Sequence, residues 1–174
     1  MTEEKNIEIE EGQPCPMCFT KNLTLRQVER DLPYVGLTYV FSMECQNCDY
    51  AMSDVEFENK QKPSKLSFEI GSEEDLKVRI VKSTQAALKI PRIIEEKPGP
   101  GGQGYISNIE GVLEKVKKIL EGQRDGAQEK SDRKKAKNMI KKIQDALWGR
   151  GKLTIQLYDP TGNSAIISDK TVKK

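Results

Sequence analysis

Cys15-Pro16-Met17-Cys18 and Cys45-Gln46-Asn47-Cys48 are two Cys-x-x-Cys pairs with 26 residues between them, and they hold the only cysteines of a 174-residue chain that has no histidine. Each pair sits on a tight knuckle, so both of its thiolates face one point. Together they offer Zn²⁺ a closed tetrahedral shell of Cys15, Cys18, Cys45 and Cys48. The gap exceeds the common spacing of roughly 15–20 residues. Disulfides belong to small secreted chains, and no signal peptide is evident at Met1. A redox Cys-x-x-Cys needs a βαβ context, which is missing. Four thiolates also leave no open position for a catalytic water, so a structural metal is the expectation.

Two further stretches could do chemistry. Gly99-Pro100-Gly101-Gly102-Gln103-Gly104 matches G-x-G-x-x-G ahead of a helical pattern. A dinucleotide site would cradle a pyrophosphate with backbone amides. Pro98 and Pro100 lack that donor, Glu95 and Glu96 would repel phosphate, and the next element is a second helix. A connection into a helical hairpin is the better reading. Arg133-Lys134-Lys135-Ala136-Lys137 with Lys141-Lys142 is basic enough to meet phosphates. It carries no interleaved aromatic residues to stack bases, so it also reads as the solvated face of a helix.

The cysteines require a hairpin to bring the second knuckle back to the first. Leu23–Arg26 and Leu37–Met43 read as its strands, with Leu37, Tyr39, Phe41 and Met43 on one face. Asp31–Gly36 is the turn. This predicts a zinc ribbon over 14–60, after an acidic, mobile lead-in over 1–13. The turn region Leu32-Pro33-Tyr34-Val35-Gly36-Leu37 is unusually apolar. It either folds down onto its neighbours or forms an exposed protein-docking patch.

Beyond a linker at Lys60-Gln61-Lys62-Pro63, apolar residues alternate at Leu66/Phe68/Ile70, Leu76/Val78/Ile80, Ala86/Leu88/Ile90 and Leu153/Ile155/Leu157. Such short strands predict a sandwich, jelly roll or barrel over 61–170. A helical hairpin interrupts them at about 105–148. Ser107-Asn108-Ile109-Glu110 reads as a capping box, Gly122 as the stop of the first helix, and Ser131–Trp148 as the second. The fold class is therefore mainly β with a helical insertion.

Charge is uneven. Residues 14–59 carry three basic and seven acidic side chains, while residues 115–150 carry twelve and five. An acidic ribbon is repelled by a nucleic-acid backbone, which makes protein the expected partner there. No apolar run approaches the ~20 residues of a membrane span. Reduced thiols without a targeting signal point to the cytoplasm. Metal-dependent jelly-roll enzymes commonly use histidine, so no enzymatic activity is expected.

Cys15-Pro16-x-Cys18, Leu23-Thr24-Leu25, Leu32-Pro33-Tyr34, Ser42-Met43-Glu44-Cys45, Val81-Lys82-Ser83, Ile90-Pro91, Ile109–Leu113 and Asp159-Pro160-x-Gly162-Asn163-Ser164 together resemble the ZPR-type zinc-finger family. One copy of the unit resembles the archaeal form; eukaryotic members carry two. Phe19 and Asp49 depart from the glycine usual after each knuckle, where Asp49 would tolerate a left-handed backbone. The resemblance implies a ribbon followed by a double-stranded β-helix domain. It implies binding to the elongation-factor GTPase that delivers aminoacyl-tRNA, and help with its folding. Leu32, Tyr34, Val35 and Leu37 would then meet the partner. Lys82 and Ser83, Glu110 and the Asp159–Ser164 turn are family-matched positions that could equally be structural, with Asn163 as a positive-φ turn residue.

Overall fold

The computed structural model describes residues 4–58, 61–99 and 102–174. Met1–Glu3, Asn59, the Lys60 that opens the expected linker, and Pro100 and Gly101 of the glycine motif lie outside the described residues.

The N-terminal part is a four-stranded antiparallel sheet in the order β1-β2-β3-β4, formed by Glu4–Gln13, Leu23–Leu32, Gly36–Cys45 and Ala51–Phe57. The lead-in expected to be mobile is strand β1. Its Ile7 pairs with Val28 and its Ile9 with Arg26. The two isoleucines alternate with Glu8 and Glu10, a period of two that only a strand satisfies. β2 and β3 run longer than the alternation predicted, staying in register from Leu23↔Cys45 to Leu32↔Gly36.

The hairpin closes on a tight turn in which Val35 N–H donates to the Leu32 carbonyl at 3.3 Å. Pro33 takes the position where its fixed φ is favourable. Tyr34 takes the next one, at φ +72°, where a type II turn usually wants glycine. Ile90-Pro91-Arg92-Ile93 repeats the device, with Arg92 at φ +62° and Ile93 N–H on the Ile90 carbonyl.

The second part packs two sheets around one core. β5 (Ser64–Ile70), β7 (Ala87–Ile90), β8 (Ile94–Glu96), β10 (Leu153–Asp159) and β12 (Val172–Lys173) form a sheet in the order β12-β5-β10-β7-β8. β6 (Arg79–Lys82), β9 (Tyr105–Asn108) and β11 (Ala165–Ile166) form another in the order β11-β6-β9. Phe68, Ile70, Ile80, Leu88, Ile90, Ile155 and Leu157 fill the space between them. The Leu76/Val78/Ile80 alternation proves to be a short helix, α1 (Glu73–Leu76), followed by β6. The Asp75 carboxylate accepts from the Gly71 and Ser72 amides and so favours that turn over a strand.

The helical hairpin is α2 (Ile109–Gly126) and α3 (Lys130–Leu147). Ile109, Val112, Leu113, Val116 and Leu120 of α2, with Ile143 and Ala146 of α3, bury their shared face in the same core. The N-cap of α2 is Asn108, whose side chain accepts from Gly111 N–H at 2.8 Å; Ser107 belongs to β9 instead. Gly122 does not end α2, which runs four residues further. Among the described residues no helix is long and apolar enough to cross a membrane.

Candidate metal centre and its surroundings

Cys15 and Cys18 lie in the β1–β2 connection, Cys45 ends β3, and Cys48 lies in the turn before β4. Each knuckle closes on its own amides. Phe19 N–H donates to the Cys15 carbonyl at 2.9 Å, and Tyr50 N–H to the Cys48 carbonyl at 2.7 Å. Phe19 holds the left-handed φ of +59° that glycine would relieve; Asp49 has no positive φ, contrary to expectation.

The four Sγ atoms all lie within 4.8 Å of one another, with Cys15–Cys48 at 3.7 Å and Cys18–Cys45 at 3.6 Å. A tetrahedral ion with metal–sulfur bonds of about 2.3 Å requires sulfurs about 3.8 Å apart. Those two separations match that spacing, so the tetrad is placed to hold a metal ion. Its electrostatics also call for one. The Thr20 hydroxyl and amide, with Asn47, hold the Cys18 thiol down to about 5. Burial opposes the Cys45 thiolate, but the Asn47 and Cys48 amides outweigh it and lower its pKa. The Tyr50 amide favours a Cys48 thiolate, yet burial and the three neighbouring sulfurs push it up to about 12. A central cation removes that mutual repulsion and draws off the remaining proton. Thr20 was invisible to spacing arguments because its role depends on the knuckle's shape.

At the other end of the finger, the apolar turn folds down. Leu32 and Val35 are each 2% exposed and form one cluster with Val81 and Ala165 of the second domain, flanked by Phe57 and Ile106. They are buried structural contacts and present no surface to a partner. Tyr34 stays 69% exposed and Leu37 is half-buried. Gln61 Nε2 donates to the Tyr34 carbonyl at 3.0 Å, which pins the turn.

Lys82 and Ser83 are likewise internal, at 1% and 3% exposure, and cannot contact a partner directly. Lys82 Nζ meets Glu96 at 3.4 Å and donates to the Gln103 and Ser83 carbonyls, beside the Tyr105 ring. Burial, reinforced by the Glu96 charge, pushes the Tyr105 phenol above its ordinary range. Ser83 Oγ and Ser164 Oγ donate to Asp159 Oδ2 at 2.7 and 2.6 Å, while Thr161 donates to Oδ1 through both amide and hydroxyl. Burial would raise the Asp159 pKa, but these donors outweigh it and hold the carboxyl below its usual range. The carboxylate is fully buried, so the cluster is a lock between β10 and the loop after β6. In its turn the positive φ belongs to Gly162 (+70°), not Asn163, and a Cβ there would collide with the Lys62 carbonyl.

The glycine motif leads into strand β9 instead of a helix. Gly104 N–H is spent on Asp54 Oδ1 at 3.0 Å, inside the protein. Every lysine of α3 is exposed, and Lys135 pairs with Asp132 at 3.2 Å. Glu110 stands exposed in the first turn of α2.

Residues 74–174 match the ZPR1 jelly-roll domain. A ZPR1-like protein of Pyrococcus horikoshii is 34% identical over 173 residues, covering 96% of this chain and 77% of that protein. A ZPR1-like protein of Methanocaldococcus jannaschii is 37% identical over 159 residues, covering 89% and 79%. The Schizosaccharomyces pombe protein named zinc finger chaperone zpr1 is 33% identical over 152 residues, which are 84% of this chain and 32% of the yeast protein. One copy of the finger and jelly-roll unit accounts for the long coverage of the archaeal proteins and the short coverage of the yeast one.

Proposed function

The chain belongs to the ZPR1 family, and we propose that it is a cytoplasmic, non-enzymatic zinc protein that binds the elongation-factor GTPase delivering aminoacyl-tRNA and assists its folding. Zinc is the ion of choice for four thiolates in a closed tetrahedron. The name of the Schizosaccharomyces pombe relative, zinc finger chaperone, supports both the metal and a protein client. The observation that carries the reading is where apolar side chains reach solvent. Ile7, Ile9, Met17, Phe19 and Tyr34, all on the finger, are five of the nine exposed large hydrophobic side chains among the described residues. Such residues gathered on one metal-stiffened unit suit protein docking. The metal holds one end rigid and the buried Leu32–Val35 cluster the other, so the finger meets a client with little ordering left to do.

The test is size-exclusion chromatography of purified chain with the purified GTPase, in GDP and GTP-analogue states, followed by refolding of the denatured GTPase with and without the chain. A complex and a raised refolding yield are expected. No complex in either nucleotide state removes the reading. The exposed lysines of α3 favour a second one, binding to RNA or the ribosome. A steep salt dependence of RNA binding that Lys134→Glu and Lys135→Glu abolish would establish it.

A further inference from the structure

The face of the finger sheet that bears Glu8 and Glu10 has a construction the metal does not require. Across the strands, one register row holds Glu10, Leu25, Met43 and Met52, and the next holds Glu8, Gln27, Phe41 and Asp54. Tyr39↔Glu56 begins the row beyond. Leu25, Phe41 and Met43 of the two central strands, with Met52 of β4, thus form a half-buried apolar floor, while both outer strands supply carboxylates. The result is an open hollow of about 420 Å³. It adjoins the metal knuckles, because Leu23↔Cys45 follows Leu25↔Met43 on the same face of the hairpin, two positions along.

Among the described residues no basic side chain forms an ion pair with Glu8, Glu10 or Glu56, and Arg26, at the margin, is paired with Glu44 at 3.9 Å. Asp54 is already committed to Thr84 and Gly104. Residues 4–58 carry eleven acidic and four basic side chains.

We infer that this trough docks a basic, amphipathic helical segment of a protein partner. The outer strands are three strand spacings apart, roughly 14 Å, and a helix with side chains is roughly 10–12 Å across. A helix laid along the central strands puts its apolar stripe on the floor and its lysines or arginines against Glu8 and Glu10 on one side and Glu56 on the other. Two methionines in the floor let it adapt to different apolar side chains, which suits a chaperone. A nucleic acid would be repelled by the same rim. A second copy of this chain is a poor occupant, because α3, its basic amphipathic helix, already buries its apolar face in its own core. The inference rests on the partner being a protein, and it names the surface and the chemistry of the recognised segment.

The test uses the zinc-loaded full chain and synthetic peptides of about 18 residues, long enough to form helix on the surface. One peptide carries leucine at helical spacing with lysine elsewhere. A second replaces lysine by glutamate, and a third replaces leucine by serine. Fluorescence anisotropy is expected to show binding of the Leu/Lys peptide alone, weakening as salt rises. Glu8→Lys with Glu10→Lys should weaken it about tenfold or more, since both charge pairs become repulsive. In a spectrum of ¹³C-labelled methionine methyl groups, Met43 and Met52 should shift while Met17 and Met139 stay in place. Equal binding of all three peptides, indifference to the Glu8/Glu10 change, or shifts elsewhere would overturn the inference. So would a stable dimer of the free chain that masks the Met43 and Met52 signals. A GTPase complex that forms normally with the Glu8→Lys/Glu10→Lys chain would sink the trough while leaving the proposed function standing.

Discussion

Asp54 Oδ1 accepts a hydrogen bond from Thr84 Oγ1 at 3.0 Å, tying the fourth strand of the finger to the loop that follows β6. The same oxygen accepts from the Gly104 amide at 3.0 Å and from the Val55 amide at 2.8 Å. Three donors converge on one carboxylate oxygen, which makes Asp54 the polar counterpart of the apolar contact between Val35 and the second domain. Asp54→Ala should cost about 2–3 kcal/mol, because the donors lose a charged acceptor. Asp54→Asn keeps an acceptor and should cost less. Urea unfolding of the two variants checks the order.

Removing the metal should loosen the finger from one end only. Besides the metal, the knuckles rest on a few backbone hydrogen bonds such as Phe19 N–H to the Cys15 carbonyl, whereas structural zinc contributes on the order of 10–16 kcal/mol in small fingers. Leu32 and Val35 are held by the second domain instead. After exhaustive chelation, hydrogen exchange is expected to rise sharply around residues 13–25 and 43–52, and to stay slow around Leu32–Leu37. Cys48→Ser should reproduce the pattern. Uniform exchange along β2 and β3 would contradict it.

Acid should weaken the protein through Asp75. Lys170 donates to this carboxyl at 2.7 Å, and with the Gly71 amide and the Ser72 side chain it overcomes burial to set the pKa at about 2, against an ordinary 3.8. The folded-state value is depressed, so the stabilisation is complete above the ordinary value and is lost as pH falls toward 2. Melting temperatures of the wild type and Asp75→Asn should differ most near neutrality and converge between pH 4 and pH 2. A constant gap would show that the pair is not responsible.

Tyr34 is exposed and carries a backbone conformation that side chains resist. Strain of this kind costs on the order of 1–3 kcal/mol. Tyr34→Gly should therefore leave the melting temperature unchanged or slightly higher, since relief of strain is partly offset by glycine's greater unfolded freedom. If the finger tip meets the client, affinity for the GTPase should fall in the same variant. Isothermal calorimetry beside a thermal melt separates the two effects.

Lys82 gives the opposite pattern. Its ammonium is buried beside Glu96, which keeps partial access to water at 33% exposure. Lys82→Met should lower stability by about 1–3 kcal/mol, the cost of leaving the two carbonyls and Glu96 without their donor. Partner affinity should not change once the variant is folded. A loss of affinity without a loss of stability would restore the direct contact that burial rules out.

The amino-acid sequence by itself determined the metal site, the hairpin that carries it, and the two amphipathic helices. In each case the determinant is local: the spacing of thiols along the chain, or a period of two or 3.6 that one element reads alone. Even the β1 strand was legible in Ile7-Glu8-Ile9-Glu10, although the glutamates disguised it as a tail. Only the tertiary structure decided that the apolar turn at Leu32–Val35 is covered, that Lys82 and Ser83 face inward, and that Glu8 and Glu10 frame a hollow. Those outcomes depend on which sheet face meets which neighbour, and residues 46 to 49 positions apart, such as Leu32 with Val81, carry no mark of that meeting in their own sequence.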